Sequence, residues 1–489
     1  MADLHQPRLA TWQDVLAYVR AGHRAQSDSR HVAPGDVFVA LPGSTVHGGA
    51  FAGQALQQGA AGIVAAPGTL PASVPGDRCV WHDDPREALG ALARAHFGTA
   101  SLDIDIIGVT GTNGKTTVVG LLEYGLLQLG RRVGVLGTIV NRWPGHEEPA
   151  GLTTPGCWEL HALLARMAAD GVDTVCMEVS SHALDQKRTA GVPMRAAVLT
   201  NLSQDHLDYH QTMEAYFAAK AQLFSQAHLE NHGVRIINRD DPYGRRLQAE
   251  FPESWGYSLH PLEVADPCLL TAEVAQMDRK GICLQCRWRE QSWQVCSGLV
   301  GRHNGANLLA AQATLLALGV SPQHLCVLAE APPVPGRLER VPNARGVDIF
   351  VDYAHTPDAL ENVLTALRQL GGRRLIVVFG CGGDRDRSKR VLMGEAVARY
   401  ADVAVLTSDY PRHEQPEAIM AEVSPGLAQC PRVMQEPDRK TAIGLALDEM
   451  RLGDIAVVTG KGHETYQQIG DQRLPFSDPE IICEYFQCN

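Results

Sequence analysis

Residues 106–117 read IIGVTGTNGKTT, and their reading decides the fold. An apolar run enters a glycine turn, and the helical stretch TTVVGLLEYGLLQLG (116–130) follows. That is a buried strand running into a helix. Gly111 and Gly114 let the backbone wrap so that its N–H groups and the helix N-terminus face a phosphate. From there Lys115 reaches the β- and γ-phosphates, and the Thr116 hydroxyl serves Mg²⁺. A plain strand-to-helix turn would have no use for Lys-Thr after the glycine. The common GxxxxGK[ST] spacing is not met, because Val109 stands where its first glycine belongs. The form GxTGTNGKTT is narrower and points away from many kinases and GTPases.

Downstream, RRVGVLGT (131–138), DTVCMEVS (173–180), MRAAVLTNL (194–202) and GVRIINRDD (233–241) are short apolar runs ending in polar residues. Such runs between helical segments predict the α/β class, with a mostly parallel sheet covered on both faces and ligands at the strands' carboxyl ends. The alternation restarts beyond APPVPGRLERV (331–341), whose prolines 332, 333 and 335 break any helix. There VDIFVDYAH, RRLIVVFGCGG, DVAVLTSD and DIAVVTGKGH read as strands, and ALENVLTALRQL and KRVLMGEAVARYA as helices. Before the loop the chain is rich in Ala and Gly, with strand-like DVFVAL and AGIVAA, and its texture changes near Thr99–Leu102. Three domains follow: a small α/β domain over 1–100, a central phosphate-loop domain over 101–333 and a Rossmann-like domain over 334–489.

The bulk properties agree. A chain of 489 residues exceeds what one hydrophobic core serves. Its 45% hydrophobic and 20% charged content is that of an ordinary soluble globular protein. A net charge of -12 argues against a nucleic-acid binder, which needs a basic face, but leaves room for a local basic pocket and an anionic substrate. MADLHQPRLATW has no basic segment before an apolar core, and no apolar run approaches the roughly 20 residues of a membrane span. The 12 scattered cysteines are expected as reduced thiols in the cytoplasm. Cys283 and Cys286 form a CxxC, but no second pair or nearby His completes a zinc set, and ICLQCRW alternates as a strand does.

Polar residues gather at two further strand ends. Glu178 closes the run VCM, where a carboxylate can meet the loop's metal, and Ser180, Ser181 and His182 follow it. A Ser capping the next helix is the plainer alternative there. Thr200-Asn201-Leu-Ser-Gln-Asp205-His206-Leu-Asp208-Tyr-His210 is dense in Asp and His, as metal or phosphate sites are. Lys220 lies in MEAYFAAKAQLF, and its residue context alone suggests only a side chain snorkelling to solvent.

GTNGKTT, MEVSSHAL, TNLSQDHLDYH, NRDD, GRHNGANLLAA, PGRLERV, VDYAHTPDAL, GCGGDRDRSKR and GKGHETY occur in the order seen in the Mur ligases. The chain resembles that family over nearly its whole length, and most closely the member that adds the third residue of the stem peptide. The resemblance implies an ATP-dependent, ADP-forming ligase of peptidoglycan precursor synthesis. The γ-carboxylate of UDP-N-acetylmuramoyl-L-alanyl-D-glutamate is phosphorylated by ATP, and the acyl-phosphate is attacked by a diamino acid. Lys115, Glu178, His206 and Lys220 are then the catalytic set. Thr116, Glu178, His206 and Lys220, carbamylated to N6-carboxylysine, hold Mg²⁺. ATP is met by Gly111, Thr112, Asn113, Gly114, Lys115, Thr116 and Thr117, and by Asn304, Asn307, Arg337, Asp352 and His355. A helix cap for the asparagines and a surface charge for Arg337 are the plainer readings. Ser29, Thr153, Thr154, Ser180, Gln186 and Arg188 resemble contacts to the nucleotide-sugar dipeptide. The resemblance also implies a cytoplasmic monomer with no nucleic-acid or membrane partner.

The diamino acid falls to Arg385, Asp409, Tyr410, Pro411, Arg412, Gly460 and Glu464. Diaminopimelate-adding members show DNPR where this chain has DYPR, so Tyr410 is a departure. meso-Diaminopimelate carries a second carboxylate that lysine lacks, and an arginine can discriminate on it. Arg412 therefore favours meso-diaminopimelate over L-lysine. A ligase adding D-Ala-D-Ala or a folylpolyglutamate synthase would share the loop but not the GGDR, DYPR and KGHE set.

Overall fold

The computed structural model describes residues 9–43, 46–261 and 266–486. Most of MADLHQPRLATW lies outside them. The chain divides into two compact units, Met1–Gly111 with Leu126–Leu199 and His206–Ile236, and Thr112–Gly125 with Thr200–Asp205 and Ile237–Asn489.

In the first unit the strands Ala25–Gln26, Val37–Val39, Gly62–Ala65 and Cys79–Trp81 lie side by side in chain order, all parallel. Successive residues point to opposite faces, so Val37 and Val39 join one core cluster and Phe38 another. Helices Trp12–Arg20 and Pro85–Phe97 cover the first face with Val15, Val19, Leu89 and Leu92. Asp84 caps Pro85–Phe97 by accepting from Arg86 N and Glu87 N, and Gly98 ends it at φ 65. The change of texture near Thr99 is thus a helix stop. Beyond it the strands Met194–Leu199, Asp105–Thr110, Thr174–Glu178 and Val133–Leu136 run parallel in that spatial order. Their residues are almost all buried, as a doubly covered sheet requires.

In the second unit Trp255–Ser258 pairs parallel with Leu269–Asp278, which continues as an antiparallel meander through Gly281–Trp288 and Gln291–Ser297. The C-terminal sheet has the order Glu339–Arg340, Asp348–Asp352, Ile455–Thr459, Leu375–Phe379, Val403–Leu406 and Val433–Gln435, parallel except at the first pair. Helices Pro357–Gln369 and Ser388–Tyr400 bury Leu360, Leu364, Met393 and Val397 against Val377 and Phe379. Helix Arg439–Glu449 buries Ile443 and Leu447 against Ile376 and Val378 on the other face. Each such side chain contributes about 2 kcal/mol relative to exposure. This is an α/β fold whose sheets are rich in parallel pairs.

One expectation needs correction. The cysteines are not all thiols: Cys283 and Cys296 stand directly opposite on antiparallel strands, with Cα atoms 3.9 Å apart, and form a disulfide. Cross-strand register brought them together, and nothing in their spacing of 13 announced it. The strand reading of ICLQCRW holds, with Ile282, Leu284 and Cys286 buried on one face.

Candidate active site

The phosphate loop takes the shape its glycines allow. Gly111 and Gly114 sit at φ 151 and φ 85, and Lys115 opens the helix Lys115–Gln128. Within the second unit the loop is braced by the segment 200–203. Thr112 N donates to Asn201 O at 2.9 Å, Asn113 N to Asn201 Oδ1 at 3.0 Å, and Thr200 Oγ1 to Asn113 O at 2.6 Å. Ser203 N donates to Thr112 Oγ1 at 3.0 Å. Sequence reasoning placed Thr200 and Asn201 in a polar cluster but missed this bracing, whose signal was TNLS directly after a strand. Lys115 Nζ donates to Thr112 O at 2.8 Å, which curls its ammonium over the loop.

Helix Arg302–Ala317 sets the loop's other wall. Asn304 Nδ2 donates to Val300 O at 2.9 Å, and Asn307 Nδ2 to Asn304 Oδ1 at 3.0 Å. A Cβ on Gly114 would lie 2.3 Å from Asn307 Oδ1, at a φ that side chains avoid. Gly114→Ala is therefore expected to weaken ATP binding at least about tenfold, since such backbone strain alone costs about 1–3 kcal/mol. Calorimetric titration of ATP checks this.

Arg337 is no surface charge. Its Nη2 lies 3.5 Å from Thr116 Oγ1, its guanidinium covers the Tyr353 ring at 4.9 Å, and its buried Nε has no hydrogen-bond partner among the described residues. His463 Nδ1 is likewise buried without one, and burial beside Arg337 lowers that imidazole to about 4, so it is neutral at pH 7. Asp352, expected near the nucleotide, spends both oxygens on backbone: Leu338 N donates to Oδ2 at 2.7 Å and Ala354 N to Oδ1 at 2.8 Å. It shapes the turn that carries Arg337, and burial pushes its carboxyl up. His355 is exposed, its Nδ1 2.8 Å from Tyr353 O.

In the first unit Glu178 ends its strand 1% exposed, with Thr138 N donating to Oε1 at 2.9 Å and Thr138 Oγ1 to Oε2 at 3.0 Å. Thr138 was not foreseen. Of the expected dipeptide residues, Thr154, Gln186 and Arg188 lie together. Thr154 Oγ1 donates to Glu178 O at 2.9 Å, and Arg188 Nη1 to Thr154 O at 3.1 Å. Arg188 also donates from Nε and Nη2 to Gln186 Oε1, at 3.0 and 2.7 Å. Thr153 Oγ1 is 3.1 Å from Thr138 Oγ1. Ser180 Oγ accepts from Ala183 N at 3.2 Å and so caps helix Ser181–Asp185, the plainer role. Ser29 is buried in the N-terminal part of this unit, bonded to Gln54 Oε1 at 3.0 Å. His206 holds φ 54, and its ring is 4.9 Å from that of His182. Lys220 does not snorkel: it is 2% exposed, donates to Gly111 O at 2.8 Å and lies 4.8 Å from the Tyr216 ring centroid.

The other expected group lies at the carboxyl edge of the C-terminal sheet. Asp409 is buried, and its Oδ1 has no hydrogen-bond partner among the described residues. Burial pushes its carboxyl up, while Arg439 and Lys461 nearby pull it down. Gly460 faces it at φ 112, where a Cβ would be 3.4 Å from the carboxylate. Tyr410 OH donates to Glu464 Oε2 at 2.5 Å, and Lys461 Nζ stands 3.8 Å from the Tyr410 ring centroid. Arg412 Nη1 donates to Gly383 O at 2.5 Å, Pro411 is buried, and Arg385 is exposed two residues after Gly383.

Among the described residues no three His, Cys, Asp or Glu side chains gather into a metal cage. Mg²⁺ does not require one. It keeps waters and substrate phosphates and takes one or two protein oxygens. A buried carboxylate such as Glu178, and a hydroxyl such as Thr116, fit that demand as separate donors.

A phosphate loop followed by a Rossmann-like sheet with polar groups at its carboxyl edge defines a nucleotide-using α/β enzyme. The family descriptions "Mur ligase family, catalytic domain", "Mur ligase middle domain" and "Mur ligase, glutamate ligase domain" match residues 23–97, 109–315 and 336–462. The chain belongs to the Mur ligase family. It is 50% identical over 467 residues to the "UDP-N-acetylmuramoyl-L-alanyl-D-glutamate--2,6-diaminopimelate ligase" of Lawsonia intracellularis, covering 94% of this chain and 95% of that one. It is 43% identical to the ligase of the same name from Synechococcus elongatus, over 93% and 92% of the two chains. A solved structure of a ligase of that name superposes with a TM-score of 0.69 at 32% identity, over 95% of this chain and 94% of that one. A Thermotoga maritima MurF in complex with ADP, 20% identical with a TM-score of 0.61 over 97% and 98% of the chains, shares the fold.

Proposed function

We propose that this chain is the ATP-dependent ligase that joins meso-diaminopimelate to UDP-N-acetylmuramoyl-L-alanyl-D-glutamate, forming ADP and phosphate in peptidoglycan precursor synthesis. The observation that carries the reading lies in the second unit. A phosphate loop with Lys115 shares that unit with a buried carboxylate, Asp409, whose Oδ1 lacks a partner, and with Arg412 three residues on. Phosphate, ammonium and carboxylate each find a complementary group there. The names of the relatives point the same way.

The domains are 1–100 for the UDP end, 101–333 for ATP and 334–489 for the amino acid. No helix among the described residues is long and apolar enough to cross a membrane. In this reading the enzyme works in the cytoplasm as a monomer.

A carboxylate is a poor acyl donor until it is phosphorylated, and its attack on ATP brings two anions together. Lys115 screens them and Arg337 adds a second cation at Thr116. Thr116, Glu178, His206 and a carbamate on Lys220 would hold Mg²⁺, which would supply further charge neutralisation. That modification turns an ammonium into an anionic oxygen ligand, and burial of Lys220 keeps it apart from solvent. Thr154, Gln186 and Arg188 orient the dipeptide, while Ser29 meets its UDP end. Asp409 and Glu464 hold the diamino acid's ammonium groups, and Arg412 takes its distal carboxylate. The amine, once its ammonium has lost a proton, attacks the acyl-phosphate, and the tetrahedral intermediate collapses to the amide with loss of phosphate and of a second proton from nitrogen.

Phosphate release with the UDP-dipeptide, ATP and either meso-diaminopimelate or L-lysine tests this directly. Turnover with diaminopimelate is expected, and intact ATP in that mixture would end the proposal. Arg412→Ala should lower kcat/KM for diaminopimelate roughly 100-fold or more, because a site built around a charged partner loses its discrimination with it. Any turnover with lysine should barely change.

A further inference from the structure

The loops that carry Arg385 and Arg412 are joined by an ion pair with a buried arginine, to which neither the family resemblance nor the mechanism above gives a task. Arg390, in helix Ser388–Tyr400, has a side chain 2% exposed. It grips Glu414 through Nη2 at 2.8 Å and Nη1 at 3.1 Å, and Glu422 through Nη1 at 2.8 Å. Nη2 also donates to Gly382 O at 3.3 Å. Glu414 in turn accepts from Asp384 N at 2.6 Å and from Arg387 Nη2 at 2.7 Å. One carboxylate on the Arg412 loop thus holds the backbone of the Arg385 loop. The loops meet again where Gly383 N donates to Tyr410 O at 2.8 Å and Arg412 Nη1 to Gly383 O at 2.5 Å.

Backbone strain marks the same place. Asp384, just before Arg385, sits at φ 52, and Arg412 itself at φ 50. Non-glycine residues hold such angles only where their surroundings over-determine them. The loops pass close to one another, since a Cβ on Gly383 would lie 2.0 Å from Pro411 O. A buried ion pair stabilises a fold little beyond what apolar residues of similar shape would give. Its value here is geometric.

We propose that Arg390 and Glu414 are positioning residues that fix the separation of Arg385 and Arg412, and so set the preference for an amino acid with a second carboxylate. The inference rests on the proposed diaminopimelate-adding reaction, in which those two arginines meet the substrate. Neither member of the pair needs to touch it. Arginine is required at 390 because a lysine cannot reach two carboxylates and a carbonyl at once.

The test uses the full chain with Arg390→Lys and, separately, Glu414→Gln. The latter keeps its shape and an oxygen for Asp384 N, so it is the milder variant for folding. KM for meso-diaminopimelate is expected to rise about tenfold or more, as misplaced binding groups cost about that much, with KM for ATP and kcat within about threefold. The preference for diaminopimelate over lysine should fall by the same factor. An unchanged KM for diaminopimelate in a folded variant overturns the proposal. So does a uniform loss toward all three substrates that follows a drop in Tm, since that is the mark of a purely structural pair. Failure of the proposed reaction would show itself separately, as an unmodified chain inactive with diaminopimelate.

Discussion

Lys115→Ala is expected to lower phosphate release by roughly three orders of magnitude or more, about 4 kcal/mol of transition-state stabilisation. The reason is local. Lys115 is the first residue of its helix and curls back to Thr112 O, so its ammonium lies over the phosphate loop. Charge builds on the transferred phosphoryl oxygens during the reaction, and water in the gap left by alanine is a poor replacement for a fixed cation. The fold should not suffer, because Lys115 is only partly buried and its ammonium donates to its own loop. Substitutions of that kind usually change stability by less than about 0.5 kcal/mol. KM for the UDP-dipeptide should hold, since its expected contacts lie around Thr154, Gln186 and Arg188. Lys115→Arg should also fail, for a planar, forked guanidinium does not place its charge where the compact lysine ammonium sits. A folded Lys115→Ala protein within tenfold of the original rate would show that this loop does not serve ATP.

The parts of the molecule that could be read from the chain are those governed by neighbours in sequence. The strand-loop-helix around Gly111 and Gly114, and the strands of the C-terminal sheet, follow from apolar runs and glycines alone. Positions set by distant partners stayed hidden. Lys220 reads as a solvent-seeking lysine because its helix is short and mixed, yet Gly111 O draws it inside. Thr138 carries no motif, and only the strand register brings it to Glu178. Asp352 stands in a motif associated with the nucleotide, but two backbone N–H groups claim it first. Tyr410, the departure from the family's asparagine, finds a definite partner in Glu464, which no spacing argument could supply. Cys283 and Cys296 became opposite neighbours through a hairpin register fixed by packing.

Glu178→Gln should cut kcat roughly 100- to 1,000-fold, about 3–4 kcal/mol, and raise the Mg²⁺ concentration for half-maximal rate at least about tenfold. The substitution isolates charge. Thr138 offers a fixed N–H donor to Oε1 and a rotatable hydroxyl to Oε2. A carboxamide can set its oxygen on the first and its NH₂ against the second, which then accepts, so both bonds survive. Packing survives as well, since the side chain is buried at the end of its strand and Gln has the same shape. What disappears is the negative charge by which Glu178 is proposed to attract a divalent cation. Glu178→Asp keeps that charge but draws it back by one methylene from Thr138, so its loss should be smaller and more fully rescued by added Mg²⁺. Phosphate release titrated with Mg²⁺ for the three proteins separates the two effects. If the glutamine protein folds and its Mg²⁺ dependence overlays that of the original chain, Glu178 is a structural carboxylate. Thr138 would then be bracing a strand end and not a metal ligand.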